Sequence, residues 1–306
     1  MNKRLSEKIQ DRESGIILYG LTPPKINTDH FRILEIVEKQ CDRLTKMAID
    51  GVVIYDLQDE SSRTQAPRPF PFVQTIAPEE YGYKYMKDLD IPKIIYKSVG
   101  KFTSETFKKW ASDINPDLLV LVGTPSKDQL SGISLNEAYE ILNASPNNSL
   151  LGGITIPERH TKKRNEHIHI TNKESQGCKF FISQCVYDIN GAKNFMSDYY
   201  YHNQERNQDA SPIIFSLTPC GSKKTLEFSK WLGIQIPTWL ENDLYHANNI
   251  LDMSVKACVN VASELIEFCN NKNLPIGFNI ESIAIRKEEI EASVELLNQV
   301  KDLFRN

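Results

Sequence analysis

An apolar run, Gly177-Cys178-Lys179-Phe180-Phe181-Ile182-Ser183-Gln184, ends on a lone amide. An amide at such a place can read a substrate through paired hydrogen bonds, one given and one accepted. A second concentration of chemistry is Asp56-Leu57-Gln58-Asp59-Glu60-Ser61-Ser62-Arg63, followed by Pro67-Arg68-Pro69-Phe70-Pro71-Phe72. Carboxylates crowded together raise one another's pKa, so one of them can act as a general acid while an arginine grips an anion. Lys25, in Leu21-Thr22-Pro23-Pro24-Lys25, stands after a stiff Pro-Pro turn and can meet an anionic ligand. Gly123 and Thr124 form a turn in which the backbone can approach a ligand and a hydroxyl is offered. Near the end of the chain, Asn279-Ile280-Glu281-Ser282 supplies further polar groups, and Glu281 reads equally as a catalytic group or as a partner for a base.

His160, His167 and His169 lie close together beside the basic run Lys162-Lys163-Arg164. An H-x-H pair without carboxylate or thiolate spacing matches no common metal site, so no metal is expected and the basic run reads as a solvated rim. No phosphate loop of the G-x-x-x-x-G-K-[ST] kind and no G-x-G-x-x-G is present.

These groups need elements to position them. Eight short apolar runs do so: Gly15–Leu21, Gly51–Tyr55, Pro92–Tyr96, Asp117–Val122, Gly152–Ile156, Lys179–Gln184, Pro212–Leu217 and Pro275–Ile280. Most lack polar alternation, as strands buried on both faces do. Helical spacing separates them, with Thr28 or Asn27 as cap of a first helix and a long segment running from about Trp239 to Cys269. The order β then α, eight times, predicts a single-domain α/β protein, a (β/α)8 TIM-type barrel over residues 15–306. A doubly wound open sheet has the same periodicity. In the barrel, the carboxyl ends of the strands share one site.

The chain has 306 residues, 40% of them apolar and 25% charged, which is the composition of an ordinary soluble protein. A net charge of −4 gives no general pull toward nucleic acid or an anionic membrane. No apolar run approaches the roughly 20 residues that cross a bilayer. Residues 1–14 are charged and read as a solvated lead-in rather than a secretory signal. Six cysteines without a C-x-x-C pair fit a reducing, cytoplasmic setting.

Over nearly its whole length the chain resembles the methylenetetrahydrofolate reductase family. The resemblance rests on Pro23-Pro24-Lys25, Gly123, Pro157-Glu158 with His160, Lys173 ahead of Gly177, Ser183-Gln184, Tyr187-Asp188 and Ile236-Pro237-Thr238-Trp239. It implies a barrel that binds a reduced folate, 5,10-methylenetetrahydrofolate, with Gln184 on the pterin; beside it, Lys25 and Glu281 are read from their loops as further substrate contacts. It also implies NAD(P)H as hydride donor, acting in the usual family through bound FAD, and a homo-oligomer. Tyr96, Gly123, Thr124, His160 and Lys173 occupy the flavin-site positions.

The departures are specific. The family's catalytic glutamate falls on Gly20, its Arg-Gly-Asp on Val122-Gly123-Thr124, its strand-three histidine on Tyr96 and its strand-five tyrosine on Ile156. Losing several polar contacts, each worth about 1 kcal/mol or more, weakens flavin binding severely. The expectation is a reductase in which NAD(P)H passes hydride directly to the folate. Glu60 is then the first choice for the acid and Asp56 the second. A folate-linked enzyme of altered chemistry (methyl transfer or demethylation) and a catalytically silent folate-binding partner are the alternatives.

Overall fold

The computed structural model describes residues 3–60, 65–123 and 132–305. A short helix, α1 (Leu5–Gln10), precedes β1 (Ile16–Leu21), α2 (His30–Lys46), β2 (Gly51–Ile54) and α3 (Pro78–Glu80), which continues as a π-turn over Tyr81–Tyr85. Then come β3 (Lys93–Ser98), α4 (Ser104–Asp113), β4 (Leu118–Val122), α5 (Leu135–Asn143) and β5 (Leu150–Thr155). Two helices, α6 (Pro157–Lys163) and α7 (Glu166–Ser175), lead to β6 (Phe180–Cys185), α8 (Ile189–Glu205) and β7 (Ile213–Leu217). The chain closes with α9 (Lys223–Trp231), α10 (Thr238–His246), α11 (Ile250–Asn270), β8 (Ile276–Glu281) and α12 (Lys287–Leu303).

The eight strands are parallel, pair in chain order and close through β8 against β1, which settles the choice between barrel and open sheet. Period-two alternation splits the core into two layers. Ile16 and Leu18 of β1 join Val53, Ile94, Val120, Phe180, Ile182 and Ile214 inside the barrel. Ile17 and Tyr19 join the larger layer under the helices. Burial on both faces explains why the strands read as unbroken apolar runs.

Three local expectations change. The lead-in is not solvated: Leu5 and Ile9 lie four residues apart on α1, are each 1% exposed, and complete the interior layer at its amino-terminal end. Its charges hid a two-residue apolar face. The cap of α2 is Asp29, whose carboxylate accepts from the N–H groups of Phe31 and Arg32, rather than Thr28 or Asn27. The long segment near the carboxyl end is two helices, because Asn249 accepts from Leu251 and Asp252 and restarts the helix at α11. Among the described residues no helix is long and apolar enough to cross a membrane, and none of the six cysteines forms a disulfide.

Candidate functional site

At the carboxyl end of the barrel, β6, β7 and β8 place Cys185, Ser216 and Asn279 at one level. One step further along, Glu281 of β8 pairs with Gly20 of β1. Tyr55, directly after β2, and Tyr96 of β3 meet edge to face, with ring centroids 5.0 Å apart. Asn279 Nδ2 donates to the Tyr55 hydroxyl at 2.7 Å and to Ser216 Oγ at 3.1 Å. Cys185 Sγ donates to Glu281 Oε1 at 2.7 Å. Tyr55, Val122, Ile154 and Glu281 all keep part of their surface open, so the packed barrel ends here in a well.

Burial raises the pKa of Glu281, and hydrogen bonds with Cys185 and Tyr55 pull it the other way without cancelling the rise. Burial, then the charge of Glu281, pushes the Cys185 thiol and the Tyr55 phenol well up. The well therefore holds its protons tightly.

β6 is irregular at its carboxyl end. Ile182 pairs with Ile214, but Cys185 rather than Gln184 pairs with Ser216, so β6 carries one extra residue. Gln184 Nε2 donates to the carbonyl of Leu232, just past α9, at 2.9 Å. Its Oε1 is buried with no partner. Asn279 Oδ1 is in the same condition, as are both carboxylate oxygens of Glu158 in the first turn of α6. Buried polar atoms are ordinarily paired, so these atoms have hydrogen-bonding capacity that water or a ligand can take up. Glu158 is pushed up to about 7, first by burial and then by Asp188 and Glu166.

The loop after β2 ties the rim together. Asp56 accepts from the Ser98 N–H at 2.8 Å and from Lys101 Nζ at 3.1 Å, so each of its oxygens already carries a hydrogen bond. Gln58 Nε2 donates to the Gly123 carbonyl at 3.2 Å. Trp231 Nε1, at the end of α9, donates to the Ala66 carbonyl. The Arg68 guanidinium lies over the rings of Phe72, Phe228 and Trp231. The far end of the loop pairs with the loop after β1 through Lys25 and Thr75.

The residues singled out from sequence thus fall into three groups. Glu281 and Tyr96 gather at the well, while Gln184, at the end of β6, hydrogen-bonds to the Leu232 carbonyl past α9. Asp56, Gly123 and Glu60 belong to the rim, with Glu60 half-buried, while Lys25 is exposed on the loop after β1. Thr124 lies outside the described residues. His160 and Lys173 stand elsewhere: His160 is 1% exposed between α6 and α8, where its Nε2 meets Asp198 at 3.1 Å. Lys173 packs behind β5 and donates to the Ile154 carbonyl. Tyr96 lies inside the barrel and these two among the helices, so the three do not come together as one set of flavin contacts. Tyr55, Cys185 and Ser216 are functional candidates that no motif marked, beside the Asn279 already noted in Asn279-Ile280-Glu281-Ser282. Only their position at strand ends could have raised them.

No protein-family model matches the chain, and no curated protein matches it. Among solved structures, the chain is similar to an uncharacterized protein from Clostridium thermocellum that binds two copies of 5-methyl-5,6,7,8-tetrahydrofolic acid. The two are 48% identical over 98% of this chain and 99% of that one, with a TM-score of 0.86. A GH113 beta-1,4-mannanase is 11% identical over 95% of this chain and 98% of its own, with a TM-score of 0.53, a likeness of fold alone.

Proposed function

This chain belongs to the same family as the Clostridium thermocellum tetrahydrofolate binder, and we propose that it too binds a reduced folate, in the well at the carboxyl end of its barrel. The observation that carries this reading is a buried acceptor without a partner, Asn279 Oδ1, on the side chain that holds the Tyr55 hydroxyl beside Tyr96. A reduced pterin has a flat pyrimidine half whose edge presents ring N–H and amino donors, the complement of such a site.

The reaction we propose is reduction of 5,10-methylenetetrahydrofolate to 5-methyltetrahydrofolate, with NAD(P)H as a substrate and no resident flavin. The family likeness read from Pro23-Pro24-Lys25 through Ser183-Gln184 supports it, and so does a relative holding a molecule of the product's class. Glu281 takes the acid role in place of Glu60 or Asp56. Its proton goes to N10 as the methylene carbon–N10 bond breaks, leaving an iminium at N5. Hydride from NAD(P)H then adds to the methylene carbon, which balances charge and electrons. Methyl transfer through Cys185 fits less well, because that reaction needs a thiolate and the thiol is pushed well up.

Titration of the protein with 5-methyltetrahydrofolate, followed by intrinsic fluorescence or calorimetry, tests the binding. Saturable binding is expected, and its absence at millimolar ligand sinks the reading. Oxidation of NAD(P)H that depends on methylenetetrahydrofolate tests the reaction. Binding without turnover leaves a silent folate-binding protein.

A further inference from the structure

Away from the well, three consecutive helices bring together nitrogen and oxygen donors. His160 of α6, His167 of α7 and Asp198 of α8 each offer one ligand atom within 4.8 Å of the others. His160 Nε2 and Asp198 Oδ2 are 3.1 Å apart. The His160 and His167 rings stand edge to face at 5.4 Å, and the His202 ring meets His167 in the same manner at 5.3 Å. Asp198 and His202 are one helical turn apart on α8, so they share a face. Arg164, in the left-handed region at φ 48°, ends α6 and turns the chain so that His167 comes back over His160.

Packing alone leaves two features unexplained. His160 Nδ1 and His167 Nδ1 are buried with no hydrogen-bond partner, which is uncommon for native polar atoms. The carboxylate of Asp198 also draws a positive charge to this spot, since Arg164 Nη2 lies 3.1 Å from Oδ2. That guanidinium is 78% exposed and can withdraw into water when another cation arrives.

We propose that His160, His167 and Asp198, with His202 as fourth ligand, bind a divalent transition-metal ion of the zinc class. Imidazole and carboxylate donors suit such an ion, whereas calcium and magnesium demand oxygen-rich shells. Metal–ligand distances of about 2.0–2.2 Å put tetrahedral donors roughly 3.4 Å apart, so the site closes by about 1 Å through side-chain rotation. The bound ion cross-links α6, α7 and α8. His169, the histidine that makes the H-x-H pair with His167, is exposed and takes no part.

The test uses the untagged full chain, treated with a chelator, dialysed and titrated with Co2+. One Co2+ per chain with the visible absorption of a tetrahedral site is expected, displaced by Zn2+. His167→Gln and Asp198→Asn should each weaken binding at least tenfold, and Arg164→Ala should tighten it severalfold. Zn2+ should raise the melting temperature of the wild type and not of either ligand variant. No stoichiometric binding, or binding undiminished in Asp198→Asn (the near-isosteric change that keeps the fold if His167→Gln does not), overturns the proposal.

Discussion

Gly20 on β1 and Glu281 on β8 are register partners, and a Cβ at position 20 would lie 3.0 Å from the Glu281 Cβ and 2.8 Å from the Tyr55 ring. The position to which the reductase resemblance assigns an acid is closed to any side chain here. The carboxyl stands one strand away instead. Gly20 is thus a steric condition for the well: it makes room for Tyr55, which Asn279 and Tyr96 hold from the other sides.

Gly20→Ala should therefore destabilise the protein by about 1–3 kcal/mol, the usual cost of overpacking a fixed neighbour. Urea unfolding measures it. A variant as stable as the wild type shows that Tyr55 shifts freely and that the glycine is incidental.

Glu281→Gln keeps the size of the side chain and its capacity to accept from Cys185, but has no proton to deliver. Turnover of methylenetetrahydrofolate should fall by about 10²-fold or more, with the affinity for 5-methyltetrahydrofolate changing far less. The same comparison on Glu60→Gln discriminates between the well and the rim. If turnover collapses there and survives in Glu281→Gln, the acid belongs to the loop after β2.

For Gln184→Leu, two readouts separate. Losing the hydrogen bond to the Leu232 carbonyl should cost about 1 kcal/mol of stability. Losing Oε1 should weaken folate binding by roughly tenfold, equivalent to about 1.4 kcal/mol. An unchanged dissociation constant, with stability lowered as expected, confines this amide to a structural role.

The barrel is legible in the sequence because strands buried on both faces cannot hide their apolar runs, and because helices with capped ends separate them. Gln184, Glu281 and Tyr96 are legible for a related reason: each sits where a run ends, and in a barrel those ends converge. Cys185 is not. Alternation sends the residue after Gln184 to the helix side, and the extra residue in β6 reverses this without a glycine or proline to mark it. Asp198 is equally hidden, since it lies within the pattern of α8 and meets His160 only once the helices pack. Conversely, His160 and Lys173 keep the spacing of a flavin site while the fold turns them into the helix layer. Spacing along the chain does not fix which side of a strand a later helix covers.

Arg68 joins two parts of the rim that are distant in sequence. Its guanidinium covers Phe228 and Trp231 of α9 at 5.1 and 5.4 Å and donates to the Phe70 carbonyl at 2.6 Å. Arg68→Ala should release the loop after β2, seen as faster limited proteolysis between residues 57 and 75 and a several-fold loss of folate affinity. Arg68→Lys should rescue poorly, because an ammonium cannot stack flat on the rings. Equal proteolysis rates for wild type and Arg68→Ala remove the residue from this role.

Glu158 gives a pH dependence of definite sign. Burial pushes its carboxyl up to about 7 in the folded protein, while the unfolded chain titrates it near the ordinary value of about 4.3. Between these values the folded state retains a proton that the unfolded state has released. The associated stability is complete below about pH 4 and disappears as the pH climbs through 7. Its size is roughly 3 kcal/mol. Glu158→Gln has no such proton, so its unfolding free energy should match the wild type near pH 4 and exceed it by up to about 3 kcal/mol at pH 8. The rise at Glu281 is common to both proteins and cancels in the difference. Denaturant unfolding of the pair across this range measures the gap, and parallel curves with no widening would show that Glu158 ionises in the fold as it does in water.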